Sequence, residues 1–146
     1  VNELKRIEKP KKKVNLDEKL WRIFSQYIRL RDSLKTTGTK EFCVCVTCGR
    51  RAPFSQIDAG HCFGRNKDGT KYEETNNHGQ CRYPCNMDRR THGRQYAHKL
   101  YIKMIYGEEE LNRLEYLSKK IVVQRRDDWY IKKINEYNKK FDELNG

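Results

Sequence analysis

Two short cysteine pairs constrain this chain more than any other feature. They are Cys45-Val-Thr-Cys48 and, after a gap of 32 residues, Cys81-Arg-Tyr-Pro-Cys85. Each spacing lets one backbone turn present two sulfurs to the same point, and four thiolates in a tetrahedron suit zinc. Four protein ligands leave no open position, so the expected Zn2+ is structural. Cys43 offers a competing register in "CVCVTC", but the C-x2-C spacing selects Cys45, and Cys62 is expected to be a buried thiol. Six cysteines could instead form disulfides in a secreted protein. No secretory signal is visible, and close pairs fit metal ligation better. A staple of this kind matters here, because only 36% of residues are hydrophobic and another 36% are charged. Structural zinc supplies on the order of 10–16 kcal/mol, enough to offset a small core.

The chain carries 32 Lys+Arg against 20 Asp+Glu, a net charge of +12. Residues 104–146 hold nine basic and nine acidic side chains, so the whole surplus lies in residues 1–103. Such asymmetry points to a polyanion partner bound through its phosphates. No apolar run approaches the ~20 residues of a membrane span, so no membrane partner is expected.

Three parts follow from composition. Residues 1–14 are a basic arm broken by Pro10, residues 15–122 a central unit, and residues 123–146 a C-terminal helix. Within the central unit, Asn15 and Glu18 resemble a capping box opening a helix over 15–35, with Gly38 as its stop. Leu16, Leu20, Ile23, Phe24, Tyr27 and Ile28 share one face of it. Residues 40–75 alternate β-prone pieces, "FCVCV" and "FSQIDAGHCF", with turn-rich ones, which predicts a two-stranded ribbon. Helices are expected over 86–106, 108–122 and 127–144. The class is α+β, a small zinc-stapled core among helices.

Between the cysteine pairs lies "DAGH" (58–61), and around the second pair "NNHGQCRYPCN" (76–86). This order resembles the HNH, or ββα-metal, nuclease motif, and the matching positions are His61, Asn76 and Asn86. The chemistry agrees. A neutral imidazole can take a proton from water at pH 7, and a hard divalent ion on oxygen ligands can stabilise the charge of a phosphorane. His61 is the expected base. Asn86 is an expected ligand for Mg2+ or Mn2+, and Asn76 a brace for the turn that carries His61. One position departs from the motif: Gly60 stands where many such sequences place a metal ligand. Asp58 is the expected substitute, although strand alternation alone would not set it beside His61. His92 is a further candidate, and His78 is expected to be structural. Arg65, Lys67, Arg82, Arg89, Arg90 and Arg94 flank the motif and could grip phosphates.

A wider likeness surrounds the motif. "FSQYIRLRDS" (24–33), "CVTCGR" (45–50), "DAGHCFGR" (58–65), "NNHGQCRYPCN" (76–86) and "GRQYAHKL" (93–100) resemble the phage NinG family of recombination endonucleases over about residues 20–118. The C-x3-C departs from the usual C-x2-C, and the last helix lies outside the likeness. The resemblance implies metal-dependent endonucleolysis of branched DNA, including Holliday junctions and D-loops, in the cytoplasm of a bacterial host. It also implies products with a 5′ phosphate and a 3′ hydroxyl. Symmetric cutting of a four-way junction needs two sites, so a homodimer is expected. The C-terminal helices could form its interface or could pack on the core. Two readings compete: a non-catalytic zinc module that binds nucleic acid, and an adaptor docking an acidic protein. An HNH nuclease acting on linear duplex remains a variant of the favoured class.

Overall fold

The computed structural model describes residues 15–119 and 124–146. The basic arm of residues 1–14 and the stretch 120–123 lie outside the described residues. The molecule is α+β, with four short strands and four α-helices among the described residues.

Helix α1 (Leu16–Thr37) is the spine. Its start is set by Asn15, whose side chain accepts the Glu18 backbone N–H at 3.1 Å. Its end is set by Gly38, left-handed at φ 73°, whose N–H returns to the Leu34 carbonyl. Leu20, Phe24 and Ile28 recur every fourth residue and are fully buried. They meet Ile134 and Tyr137 of the last helix, α4 (Asp127–Asn145). Phe24 and Tyr137 pack edge to face, with centroids 4.9 Å apart. One face of the C-terminal helix therefore packs on α1, the second of the two uses the sequence left open.

The strands form two ribbons where the sequence suggested one. β1 (Phe42–Val44) pairs with β2 (Arg51–Pro53), because the first cysteine turn folds the chain straight back. β3 (Ile57–His61) pairs instead with β4 (Asn77–Cys81), from Ile57 opposite Cys81 to His61 opposite Asn77. Every β4 residue is buried. α1 ties itself to this ribbon through a buried carboxylate. Asp32 accepts the Gly79 backbone N–H at 2.7 Å and the Arg31 guanidinium at 2.8 Å. Arg31 then reaches the Asn77 carbonyl at 2.7 Å. Gly79 is required for this approach, since a Cβ there would lie 2.6 Å from the Cys43 sulfur.

The helix expected over 86–106 begins later. A wide turn covers Arg82–Asn86 and a 3-10 turn Arg89–Thr91. Then His92, Gly93 and Arg94 all take left-handed backbone (φ 52°, 68° and 61°). A right-handed helix cannot pass through three such residues, so α2 spans only Gln95–Tyr106. Gly107 turns the chain into α3 (Glu108–Ser118), whose first turn carries three glutamates as the helix dipole favours. Ile102 and Leu114 of these helices close a second small core over Cys62 and Phe63. Among the described residues, no helix is long and apolar enough to cross a membrane.

Candidate active site

The cysteine clasp forms where β4 meets the two turns. The sulfurs of Cys45, Cys48, Cys81 and Cys85 all lie within 4.8 Å of one another. Cys48 and Cys81 are 3.8 Å apart, the separation of about 3.8 Å that two sulfurs adopt on a tetrahedral zinc with bonds of roughly 2.3 Å. The set can hold a metal ion such as zinc. Cys43 is not part of it and packs beside Thr36 at 3.8 Å. The first turn closes through Gly49, which sits at φ 73° and donates to the Cys45 carbonyl at 3.0 Å. The second closes from the Met87 N–H to the Arg82 carbonyl at 3.0 Å, a loop wide enough for the extra residue of the C-x3-C. Burial opposes ionisation of Cys45, yet the Cys48 N–H and the Thr47 hydroxyl outweigh it and hold its pKa down to about 6. Burial and the Cys45 charge push Cys81 up to about 12. Each thiolate opposes the next, a balance that a divalent cation reverses.

Beside the clasp lies a cleft of about 440 Å³, bordered by Asp58, His61, Arg65, Arg82 and Asn86. Asp58, second in β3, and His61, its last residue, both face it, despite their opposite parity along the strand. Asp58 is drawn toward the second cysteine turn. Asn86 donates to one of its oxygens at 2.9 Å, and Arg82 donates to the other at 3.1 Å. The Asp58–Asn86 pair offers a carboxylate oxygen and an amide oxygen, hard donors of the kind that Mg2+ or Mn2+ accepts together with water and phosphate. Gly60 is needed just before His61. A Cβ at that position would lie 2.9 Å from the Gln80 Cβ, so no acidic ligand fits there. Gln80 itself ties Thr47 of the first turn to the Gly93 carbonyl, at 3.0 and 2.8 Å.

His61 stacks on Trp21, with centroids 4.7 Å apart and planes 19° from parallel. Burial, then the Arg65 cation, push its pKa down to about 3, so the ring is neutral at pH 7. Its Nε2 is buried without a hydrogen-bond partner. Asn76, fully buried, holds the chain that follows. Its Oδ1 accepts the Phe63 N–H at 2.8 Å, and its Nδ2 donates to the Phe63 and Thr70 carbonyls, both at 3.1 Å. Behind this, His78 bonds His98 at 2.8 Å and Tyr106 at 3.0 Å in a buried network. Burial keeps both imidazoles neutral, near pKa 2 and 4.

The remaining candidates are spread out. His92 borders a neighbouring cleft with Lys67 and Gln95, which meets the first only at His61. Arg94 is held by Asp88 at 2.9 Å, while Arg89 and Arg90 are exposed on their short turn. Arg65 lies over the Trp21 ring at 4.6 Å.

Sequence reading missed the contribution of α1. Trp21, Ser25 and Arg29 also border the cleft. Arg29 stacks on Phe54 at 4.1 Å and donates to its carbonyl at 2.9 Å. Burial lowers its pKa, and its Nε has no partner. A signal was present: positions 21, 25 and 29 repeat the fourfold spacing of the core stripe 20, 24 and 28, one residue over.

The family model described as Bacteriophage Lambda NinG protein matches residues 2–146. The match includes the last helix, which the likeness read from sequence had left outside. No curated protein and no solved structure is significantly similar.

Proposed function

This chain belongs to the bacteriophage lambda NinG protein family, and from that premise we propose that it is a metal-dependent DNA endonuclease of the HNH type acting in phage recombination. The observation that carries this reading is the single cleft shared by His61, Asp58 and Asn86. In the reaction, the neutral His61 ring takes a proton from the attacking water, a role worth about 10²–10⁴ in rate. Asn76 is a positioning residue that fixes the backbone just after it. Asp58 and Asn86 would hold Mg2+ or Mn2+, which would supply Lewis-acid stabilisation of negative charge at the phosphate. Arg65 and Arg29 supply positive charge for flanking phosphates, and Arg82 both balances Asp58 and faces the same cleft. The zinc clasp does no chemistry; it fixes the turn that delivers Arg82 and Asn86. The products carry a 5′ phosphate and a 3′ hydroxyl.

The preference for branched substrates, Holliday junctions and D-loops, rests on the family alone. The net charge of +12 supports a DNA partner in general.

A labelled four-way junction and a linear duplex of the same sequence, each incubated with zinc-loaded protein and Mg2+ or Mn2+, test the proposal. Junction-selective cutting that falls by about 10²–10⁴ in a folded His61→Ala variant is the expected result. Equal cutting of both substrates would retain the nuclease and remove the branch preference. Binding without cutting in either ion would make the protein a zinc-stabilised DNA-binding module, with His61 a packing residue against Trp21.

A further inference from the structure

A histidine that acts as a base must hold one ring nitrogen toward the water, and it is usually held by a hydrogen bond to the other nitrogen. His61 lacks that support. Its Nε2 is buried without a partner, and no described residue hydrogen-bonds either ring nitrogen. Asn76 and the β4 ladder fix the backbone around it, but rotation about the Cβ–Cγ bond of an imidazole is broad. What meets the ring is Trp21, whose indole lies 4.7 Å from it and 19° from parallel. The indole is itself fixed. It rides on α1 next to the buried Leu20, and it packs against Phe24 at 5.9 Å and Tyr72 at 6.3 Å. Tyr72 in turn donates its hydroxyl proton to Asp17 at 2.6 Å.

We propose that Trp21 is the positioning residue of the base: its indole face stands in for the missing hydrogen bond and sets the plane of the His61 ring. This role rests on the nuclease reading of His61. With the two rings so close to parallel, the imidazole cannot swing out of plane without losing contact across its face. The same face favours what the ring becomes. As the water oxygen bonds to phosphorus and the 3′ oxygen leaves with its bond pair, the water proton moves to His61 and makes an imidazolium. A cation over an indole is attracted by the electron-rich face. Arg65 already uses that attraction, with its guanidinium 4.6 Å from the same indole. A phenyl ring at position 21 would keep a flat face of lower strength, and an aliphatic side chain would keep only bulk.

The test compares cleavage of labelled DNA in Mg2+ or Mn2+ by zinc-loaded wild type, Trp21→Phe, Trp21→Leu and Ile134→Ala. Ile134 belongs to the same core but does not border the cleft, so its truncation reports lost stability alone. Trp21→Leu should lower kcat about ten- to thirtyfold and leave KM within about twofold. Trp21→Phe should recover most of that loss, and Ile134→Ala should melt lower with kcat unchanged. A second readout needs no DNA. In 13C-labelled protein the His61 ring should give one set of NMR signals in wild type and Trp21→Phe, and broadened or doubled signals in Trp21→Leu with zinc retained. Trp21→Leu that cuts as fast as wild type, keeps a single sharp set, or loses no more kcat than Ile134→Ala overturns the role and leaves His61 as the base. A loss confined to KM also overturns it, making Trp21 a contact for the nucleic acid. A wild type that cuts no DNA overturns the nuclease reading and this role with it, an outcome distinct from the others.

Discussion

The cysteine clasp and the His61 cleft share strand β4 and the second cysteine turn, yet they are assembled in opposite ways. The clasp takes all its ligands from two turns, each only a few residues long. Its donors are a single type, and four sulfurs complete it. The cleft gathers a helix, a strand, the loop after it and a turn. Its donors are mixed, and the Asp58–Asn86 pair borders open space. A closed set made from local pieces can stabilise a fold. An open set drawn from distant pieces can act, provided something else holds it in place.

If that division is correct, damage to the clasp should spread to the cleft, while damage to the cleft should stay local. The largest effect is expected from Cys81→Ala or from strong chelation. Structural zinc is worth on the order of 10–16 kcal/mol, so the loss should abolish cooperative melting by circular dichroism and remove bound zinc. A chain that still melts cooperatively without metal would break the comparison.

Acid should come next. His61, His78 and His98 are buried neutral, with folded pKa values held near 3, 2 and 4 mainly by burial. In the unfolded chain each titrates near 6.5. Below that pH the unfolded chain binds more protons than the native one, so stability falls as pH drops from about 6.5 toward 4. Each ring contributes on the order of 1 kcal/mol per pH unit in that window. Denaturant melts between pH 7 and 5 should show this slope, and His98→Gln should flatten it. An unchanged slope would move the acid response to the cysteines.

The smallest of the three belongs to Asn76→Ala. It strands the buried Phe63 N–H and leaves the Phe63 and Thr70 carbonyls without their amide donor. A cost of about 1–3 kcal/mol follows, read as a lower melting temperature with zinc retained. Loss of zinc in this variant would mean that the cleft also supports the clasp.

The same contrast explains what could be read from sequence. The clasp was legible because metal geometry is encoded in spacing, down to the choice of Cys45 over Cys43. The caps of α1, Asn15 and Gly38, were legible for a similar reason, since each is a local hydrogen-bonding device. The pairing of β3 with β4 was not, because it depends on a 15-residue excursion closed by tertiary contacts such as those of Asn76. The late start of α2 was hidden by His92 and Arg94, whose left-handed backbone only Gly93 hinted at. Arg29 lies off the apolar stripe of α1, and its role depends on Phe54 and the cleft, which are far from it in sequence.

The three hydrogen bonds of the Asn76 side chain have a consequence for how the loop after β3 can be altered. They pin residues 63 and 70 to each other and to the end of β3, so the chain between them leaves and re-enters a fixed frame. At its tip, Gly64, Arg65, Asn66 and Lys67 are exposed. Of those four, only Arg65 turns back to the cleft, over the Trp21 ring. Changes of side chain at Gly64, Asn66 or Lys67 are expected to leave that frame, and the position of His61, intact. On the proposed nuclease reading, such changes would retune which nucleic acid is held without moving the base.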